Sequence, residues 1–232
     1  MTKPTSQPAS QQLEHATSSR ISHLHMWRST ILQVIVLMLL FIATPFSFDS
    51  AFVTKIDLGA LTALRAWHNP TSIVIMRFFT EMGGNIGLPI FAAVIFGGLW
   101  ITARRLEAMA FFVAALTGFV GNNLLKFIYN RERPSMYERL FEVTSSSFPS
   151  GHAMCSILCY GMAAYLLGRI PRLAPYRVLI WIVSVFMIAM ICLSRVFFAV
   201  HYPSDVWGGL LVGGALLLVI IRAFEQRVQT RS

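Results

Sequence analysis

Two histidines, one aspartate and three cations fall into three short segments in the second half of this chain. Lys126-Phe-Ile-Tyr-Asn-Arg-Glu-Arg133-Pro134 comes first, and Pro149-Ser150-Gly151-His152 follows. The third is Ser194-Arg195, then His201 after five more residues and Asp205 after a further three. Lysine and arginine pair with phosphate oxygens, arginine often with two at once. A histidine that gives one ring nitrogen to a carboxylate has its tautomer fixed and its other nitrogen free to attack. A second histidine can supply the proton a leaving oxygen needs. The set can hold a phosphate and cleave its ester bond without a metal, and the chain offers no obvious carboxylate cluster for Mg²⁺. No cofactor is implied.

The spacing says which elements must carry these groups. His201 and Asp205 are four apart with Pro203 between them. Proline suits the first turn of a helix, so a helix is expected to start near Tyr202. His201 then stands at its mouth, with Asp205 on the same face. Taken alone, the pair is equally a helix start in which the carboxylate only caps. Pro149-Ser150-Gly151-His152 precedes a long apolar run, which puts Ser150, Gly151 and the next amides at a helix N-terminus, where the dipole favours an anion. Gly151 lets the backbone approach closely, and His152 sits beside the bound group. Taken alone, this tetrapeptide reads as an ordinary turn. Lys126, Arg133 and Arg195 fall at helix ends or in the loop between helices. Arg131 and Arg139 are read as snorkelling to lipid headgroups, as basic side chains near a membrane commonly do. Glu132, Glu138 and Glu142 make the same loop mixed in charge.

The segments interrupt long apolar runs. The chain has 232 residues, 56% hydrophobic and 12% charged, with a mean hydropathy of +0.64. A soluble domain carries about 25% charged residues, so this is a membrane protein. A net charge of +9 would suit a nucleic-acid binder. The basic residues lie instead in short connections between apolar runs, so the expected partner is the lipid bilayer and no nucleic acid. Cys155, Cys159 and Cys192 lie within apolar stretches, cannot all pair, and have no metal-ligand spacing with His.

The expected fold is all-α, a membrane bundle of six transmembrane helices over 30–47, 86–103, 106–127, 152–168, 178–194 and 206–222, each near the ~20 residues a bilayer requires. Residues 1–28 read as a disordered cytoplasmic tail, 29–226 as the six-helix domain, and 227–232 as a cytoplasmic C-terminal tail. Residues 51–82 read as one or two amphipathic surface helices between the first and second spans, broken at Asn69-Pro70. The alternative is that 71–82 extends the next span. With the N-terminus inside, the inner segments hold 11 cations and 3 acids, and the outer segments 8 cations and 7 acids. That asymmetry places all three motifs on the extracytoplasmic face of a multi-pass cell-membrane protein.

Eleven fixed identities in this order arise by chance on the order of 10⁻⁸ of the time, at about 5% per residue type and roughly 10⁶ ways to place the three motifs. The set resembles the signature of the type-2 phosphatidic acid phosphatase superfamily, K-x6-RP, PSGH and SR-x5-H-x3-D, and matches it at every position. The resemblance implies an enzyme whose catalytic residues are His201, His152 and Asp205. His201 would attack phosphorus, Asp205 would orient it, and His152 would protonate the leaving group and later take a proton from water. Lys126, Arg133, Ser150, Gly151 and Arg195 would hold the phosphate oxygens. It further implies a membrane lipid phosphate or diphosphate as substrate: undecaprenyl diphosphate, phosphatidylglycerophosphate or phosphatidate. A lipid-to-lipid phosphotransferase would use the same intermediate with another acceptor. A lipid-phosphate binder or flippase would need only the cations. No oligomeric state is implied.

Overall fold

Capping residues, prolines and glycines cut the chain into helices. The computed structural model describes residues 9–137 and 145–230, and these contain helix and no strand. In order they are α1 (Ala9–Phe46), α2 (Ala51–Arg65), α3 (Pro70–Met82), α4 (Gly87–Ile101), α5 (Arg105–Ile128), α6 (Gly151–Leu167), α7 (Arg177–Phe197) and α8 (Pro203–Gln229), with one 3₁₀ turn at Ala174–Tyr176. The Ser50 hydroxyl accepts the Val53 amide to start α2. Asn69 and Ser72 exchange bonds in a capping box ahead of Pro70 to start α3. Gly83 and Gly84 end α3.

Four helical stretches are long and apolar enough to cross a membrane: Trp27–Phe46, Arg105–Ile128, Ala174–Phe197 and Pro203–Gln229. Helices α3 and α4 meet that standard only together, bent by 48° at their break. This differs from an expectation of a surface helix followed by a straight span. The apolar pattern after Asn69-Pro70 runs on into the next helix, and the two glycines kink it. Helix α6 has 17 residues and is apolar. Helix α1 begins at Ala9, inside the segment expected to be a disordered tail. No proline lies between positions 9 and 44, and residues such as Gln, Leu and Glu favour helix.

Helix α6 is the axis of the bundle. It packs against α5, α7 and α8, and most of its side chains are buried. Its neighbours turn apolar faces outward, as at Ile182, Val185 and Phe186 of α7. Such faces fit lipid rather than water. The α6–α8 seam is tight because Gly209 faces the Ser150 carbonyl, where a Cβ would sit 2.5 Å from that oxygen. Small residues at such seams let helix backbones approach. This one brings the start of α6 to the start of α8. Helix α2 inverts the usual pattern: Asp57 is buried, while Phe52 and Ile56 are exposed.

Candidate active site

Four helix ends meet at one end of the bundle. Lys126 lies in the last turn of α5 and Arg195 in the last turn of α7. Ser150 is the N-cap of α6, and Asp205 lies in the first turn of α8. His201 sits in the turn that joins α7 to α8. Ala199 there adopts the left-handed region at φ 51°. The amides of Val200 and His201 both donate to the Arg195 carbonyl, at 3.2 and 3.3 Å. This reversal folds the chain back on itself and buries His201 to 2% exposure.

The two nitrogens of His201 face different surroundings. Nδ1 lies 3.6 Å from Asp205 Oδ2, and Nε2 lies 3.4 Å from Arg133 Nη1. The arrangement fits a proton on Nδ1 facing the carboxylate and a lone pair on Nε2 facing the guanidinium. Burial holds the imidazole far below its ordinary range, to about 3. The carboxylate of Asp205 opposes that shift, while the charges of Arg195 and Arg133 add to it. The ring is therefore neutral near pH 7. Asp205 also caps its helix by accepting the Tyr202 amide at 2.8 Å. The same carboxylate thus caps the helix and faces the His201 ring.

The Nε2 side is cationic. Arg133 donates to the carbonyls of Val200 at 2.6 Å, Ser145 at 2.8 Å and Ser146 at 3.2 Å. Lys126 Nζ donates to Ser145 Oγ at 3.0 Å and to the Ser146 carbonyl at 3.1 Å. Arg195 Nη1 donates to Thr80 Oγ1. Three buried polar atoms here, Arg195 Nε, Ser150 Oγ and His201 Nδ1, have no hydrogen-bond partner among the described residues, the last facing Asp205 Oδ2 at ion-pair distance. Ser150 is anchored through its amide, which donates to the Asp205 carbonyl at 3.0 Å. The imidazole of His152 lies within electrostatic reach of Arg195, His201 and Lys126 and bonds to the Thr80 backbone. A Cβ on Gly151 would lie 2.7 Å from Asn122 Nδ2, so the backbone packs closely on that side chain. All eight residues singled out from the motifs converge on one end of the bundle.

Sequence reasoning missed part of the site. Arg131 does not snorkel. Its side chain is 15% exposed, with Nη1 2.6 Å from Asp205 Oδ1 and Nη2 3.1 Å from Asp57 Oδ2. Its guanidinium also sits 3.5 Å from the Phe48 ring centroid and 4.4 Å from that of Tyr202. Two buried carboxylates outbid a lipid headgroup for the one cation between them. Ser147 Oγ donates to Asp205 Oδ2 at 2.5 Å. Thr80 on α3 holds both Arg195 and His152. Asp57 is the one acid of α2, but with Lys55 and Arg65 in the same helix it gave no signal by itself. Arg139, Glu138 and Glu142 lie outside the described residues. Among the described residues, no group of three or more His, Cys, Asp or Glu side chains is placed to hold a metal ion.

The chain resembles known proteins over most of its length. It is 26% identical over 175 residues to phosphatidylglycerophosphatase B of Bacillus subtilis, covering 75% of this chain and 83% of that one. It is 28% identical over 168 residues to decaprenylphosphoryl-5-phosphoribose phosphatase of Mycobacterium tuberculosis, covering 70% and 87%. The crystal structure of a transmembrane PAP2 type phosphatidylglycerolphosphate phosphatase from Bacillus subtilis superposes with a TM-score of 0.78 at 24% identity, covering 84% of this chain and 97% of that one. Aquifex aeolicus LpxE gives 0.57 at 22% identity, covering 75% and 96%. These two structures share the fold. The family model of the PAP2 superfamily matches residues 107–229, more than half of the chain and all four helix ends that meet at the site. The chain therefore belongs to the PAP2 superfamily, the type-2 phosphatidic acid phosphatases, and is a membrane phosphatase.

Proposed function

We propose that this phosphatase removes the terminal phosphate of a lipid phosphate or diphosphate at the extracytoplasmic face, through a phosphohistidine on His201. The observation that carries the reading is the position of His201, with Nδ1 toward Asp205 and Nε2 toward Arg133. Nε2 attacks phosphorus and the bond to the leaving oxygen breaks. His152 gives that oxygen a proton. The Nδ1 proton faces Asp205, so the positive imidazole of the intermediate meets a carboxylate. Lys126, Arg133, Arg195, Ser150 and the Gly151 amide hold the phosphoryl oxygens, and preorganised donors on developing charge are the main source of rate in phosphoryl transfer. Water then attacks phosphorus, His152 takes its proton, the N–P bond breaks, and inorganic phosphate leaves. No step calls for a metal ion.

Lipid substrates are supported by the names of the two curated relatives, both phosphatases of phosphorylated lipids. Undecaprenyl diphosphate, phosphatidylglycerophosphate and phosphatidate fit the same chemistry. Six crossings follow if α3 and α4 cross as one bent span and α6 crosses inside the bundle. At 17 residues, α6 reaches about 26 Å at 1.5 Å per residue. That leaves α2 at the outer surface, with exposed Phe52 and Ile56, and Trp67 in the turn after it, toward the lipid, where it would cover the mouth of the site. The test is phosphate release from a panel of lipid phosphates and diphosphates in detergent with excess EDTA. The wild type should turn over at least one of them, and folded His201→Ala none. Substantial turnover by His201→Ala rejects the mechanism. A cysteine at Met136 should react with an impermeant maleimide on intact cells and one at Arg172 should not, in a background lacking native cysteines. The reverse pattern moves the site to the cytoplasmic face.

A further inference from the structure

Helix α2 carries none of the three motifs and lies outside the segment that matches the family model, yet it places a buried carboxylate three contacts from His201. Asp57 is 2% exposed. Its Oδ1 accepts the amide of Ser204 at 3.0 Å and its Oδ2 the Ser204 hydroxyl at 2.5 Å. Asp57 thus caps, from another helix, the N-terminus that carries Asp205. Its Oδ2 also takes Arg131 Nη2, while Arg131 Nη1 goes to Asp205 Oδ1. One guanidinium is shared by two carboxylates, and Asp205 turns its other oxygen toward His201.

Counting charges on this side of the imidazole gives two carboxylates and one guanidinium, a net of one negative charge. The other cations of the site, Lys126, Arg133 and Arg195, belong to the phosphate side. Were Arg131 paired with Asp205 alone, the Nδ1 side would be neutral. The imidazolium created by the N–P bond would then be uncompensated in a buried place. With Asp57 present, the net charge is the one that imidazolium requires.

We infer that Asp57 is a positioning residue for the phosphatase reaction: acting through Arg131, it keeps the Nδ1 side of His201 singly negative and so stabilises the phosphohistidine. The inference rests on the reading of His201 as nucleophile. It assigns α2 an electrostatic part in the reaction, in addition to any contact with lipid.

The experiment compares wild type, Asp57→Asn and the pair Asp57→Asn with Arg131→Gln. Each is checked for folding by melting in detergent and assayed by rapid quench with a radiolabelled lipid phosphate. Asp57→Asn keeps the shape and makes the cluster neutral. The pair restores a single negative charge on Asp205 and leaves no unpaired buried cation. Asp57→Asn should slow phosphoenzyme formation and kcat by about tenfold or more, with KM nearly unchanged. The pair should recover most of that loss. If Asp57 and Arg131 only brace the fold, the pair will be as slow as Asp57→Asn or slower, and that result overturns the inference, as does a wild-type rate in Asp57→Asn. Where Asp57→Asn alone does not fold, the pair decides: a rate within about tenfold of wild type supports the inference, and a greater loss overturns it. Absence of any phosphoenzyme in the wild type is a separate outcome, and it strikes the His201 reading itself.

Discussion

The two ends of the helix bundle both carry charge, but they handle it differently. At the end away from the site, Arg222 pairs with Glu225 and Arg104 with Glu107, each three residues along one helix, with side chains a quarter to a third exposed. Tyr165 adds a hydrogen bond to Glu225 at 3.0 Å. Helix geometry makes such pairs almost automatically, and they are worth little. At the site end, Arg131 bridges Asp57 and Asp205, 74 residues away in each direction, and both carboxylates are buried. Long-range buried pairs are poor stabilisers because desolvation offsets their attraction. Gathering such groups from several elements fits the proposed site, and the local pairs at the other end are the control.

The sharpest break of this contrast removes one arginine from each end. Arg133→Ala should lower kcat/KM by about 10³-fold, because it removes a preorganised donor to phosphate and the group facing His201 Nε2. Arg222→Ala should leave kcat/KM within about threefold and lower the melting temperature in detergent by a few degrees at most. Similar losses of activity from the two would erase the distinction between the ends.

A smaller effect is expected where α3 braces the site. Thr80→Val removes the acceptor for Arg195 Nη1 and should cost about tenfold in kcat/KM, the worth of one hydrogen bond to a charged group. Thr80→Ser keeps that acceptor and should stay near wild type. Equal losses in both variants would mean that Thr80 matters for packing and not for Arg195.

The motifs made most of the site legible before any coordinates. Their spacing placed Ser150 and Gly151 at one helix start and Asp205 at another, and α6 and α8 begin there. Apolar run lengths located α5 and α7 to within three residues, while α8 runs to Gln229, seven residues past the expected end of its span and into the expected C-terminal tail. Three features were hidden, each for a physical reason. Arg131 is chemically identical to a snorkelling arginine until its partners are known, and both lie 74 positions away. Asp57 looks like the polar side of a surface helix, because periodicity shows that a face differs but not which face turns inward when the outside is lipid. The kink between α3 and α4 depends on Gly83 packing against Ile191, where a Cβ would lie 2.4 Å from that side chain. No local pattern reports a neighbour on another helix.

The smallest expected effect concerns pH. The unfolded imidazole titrates near 6.5, and burial holds that of His201 at about 3. The folded ring therefore stays neutral as pH falls from 8 to 5, and its proton-linked stability declines only as pH drops below about 6.5 toward 3. A ¹⁵N-labelled histidine spectrum, with His201 assigned by comparison with His201→Gln, should show almost no shift for this residue between pH 8 and 5. A midpoint near 6.5 would mean that Asp205 offsets burial.

The central claim is that the phosphoryl group passes through His201, and the direct measurement is to find it there. The wild-type enzyme, mixed with a lipid phosphate, quenched in base within milliseconds and digested, should yield phosphate on the peptide that contains His201 by mass spectrometry. The bond should be stable to base and labile to acid, and it should be absent from His201→Ala. Phosphate found on the peptide containing His152 instead, or full turnover with no phosphorylated histidine at any quench time, would contradict the account.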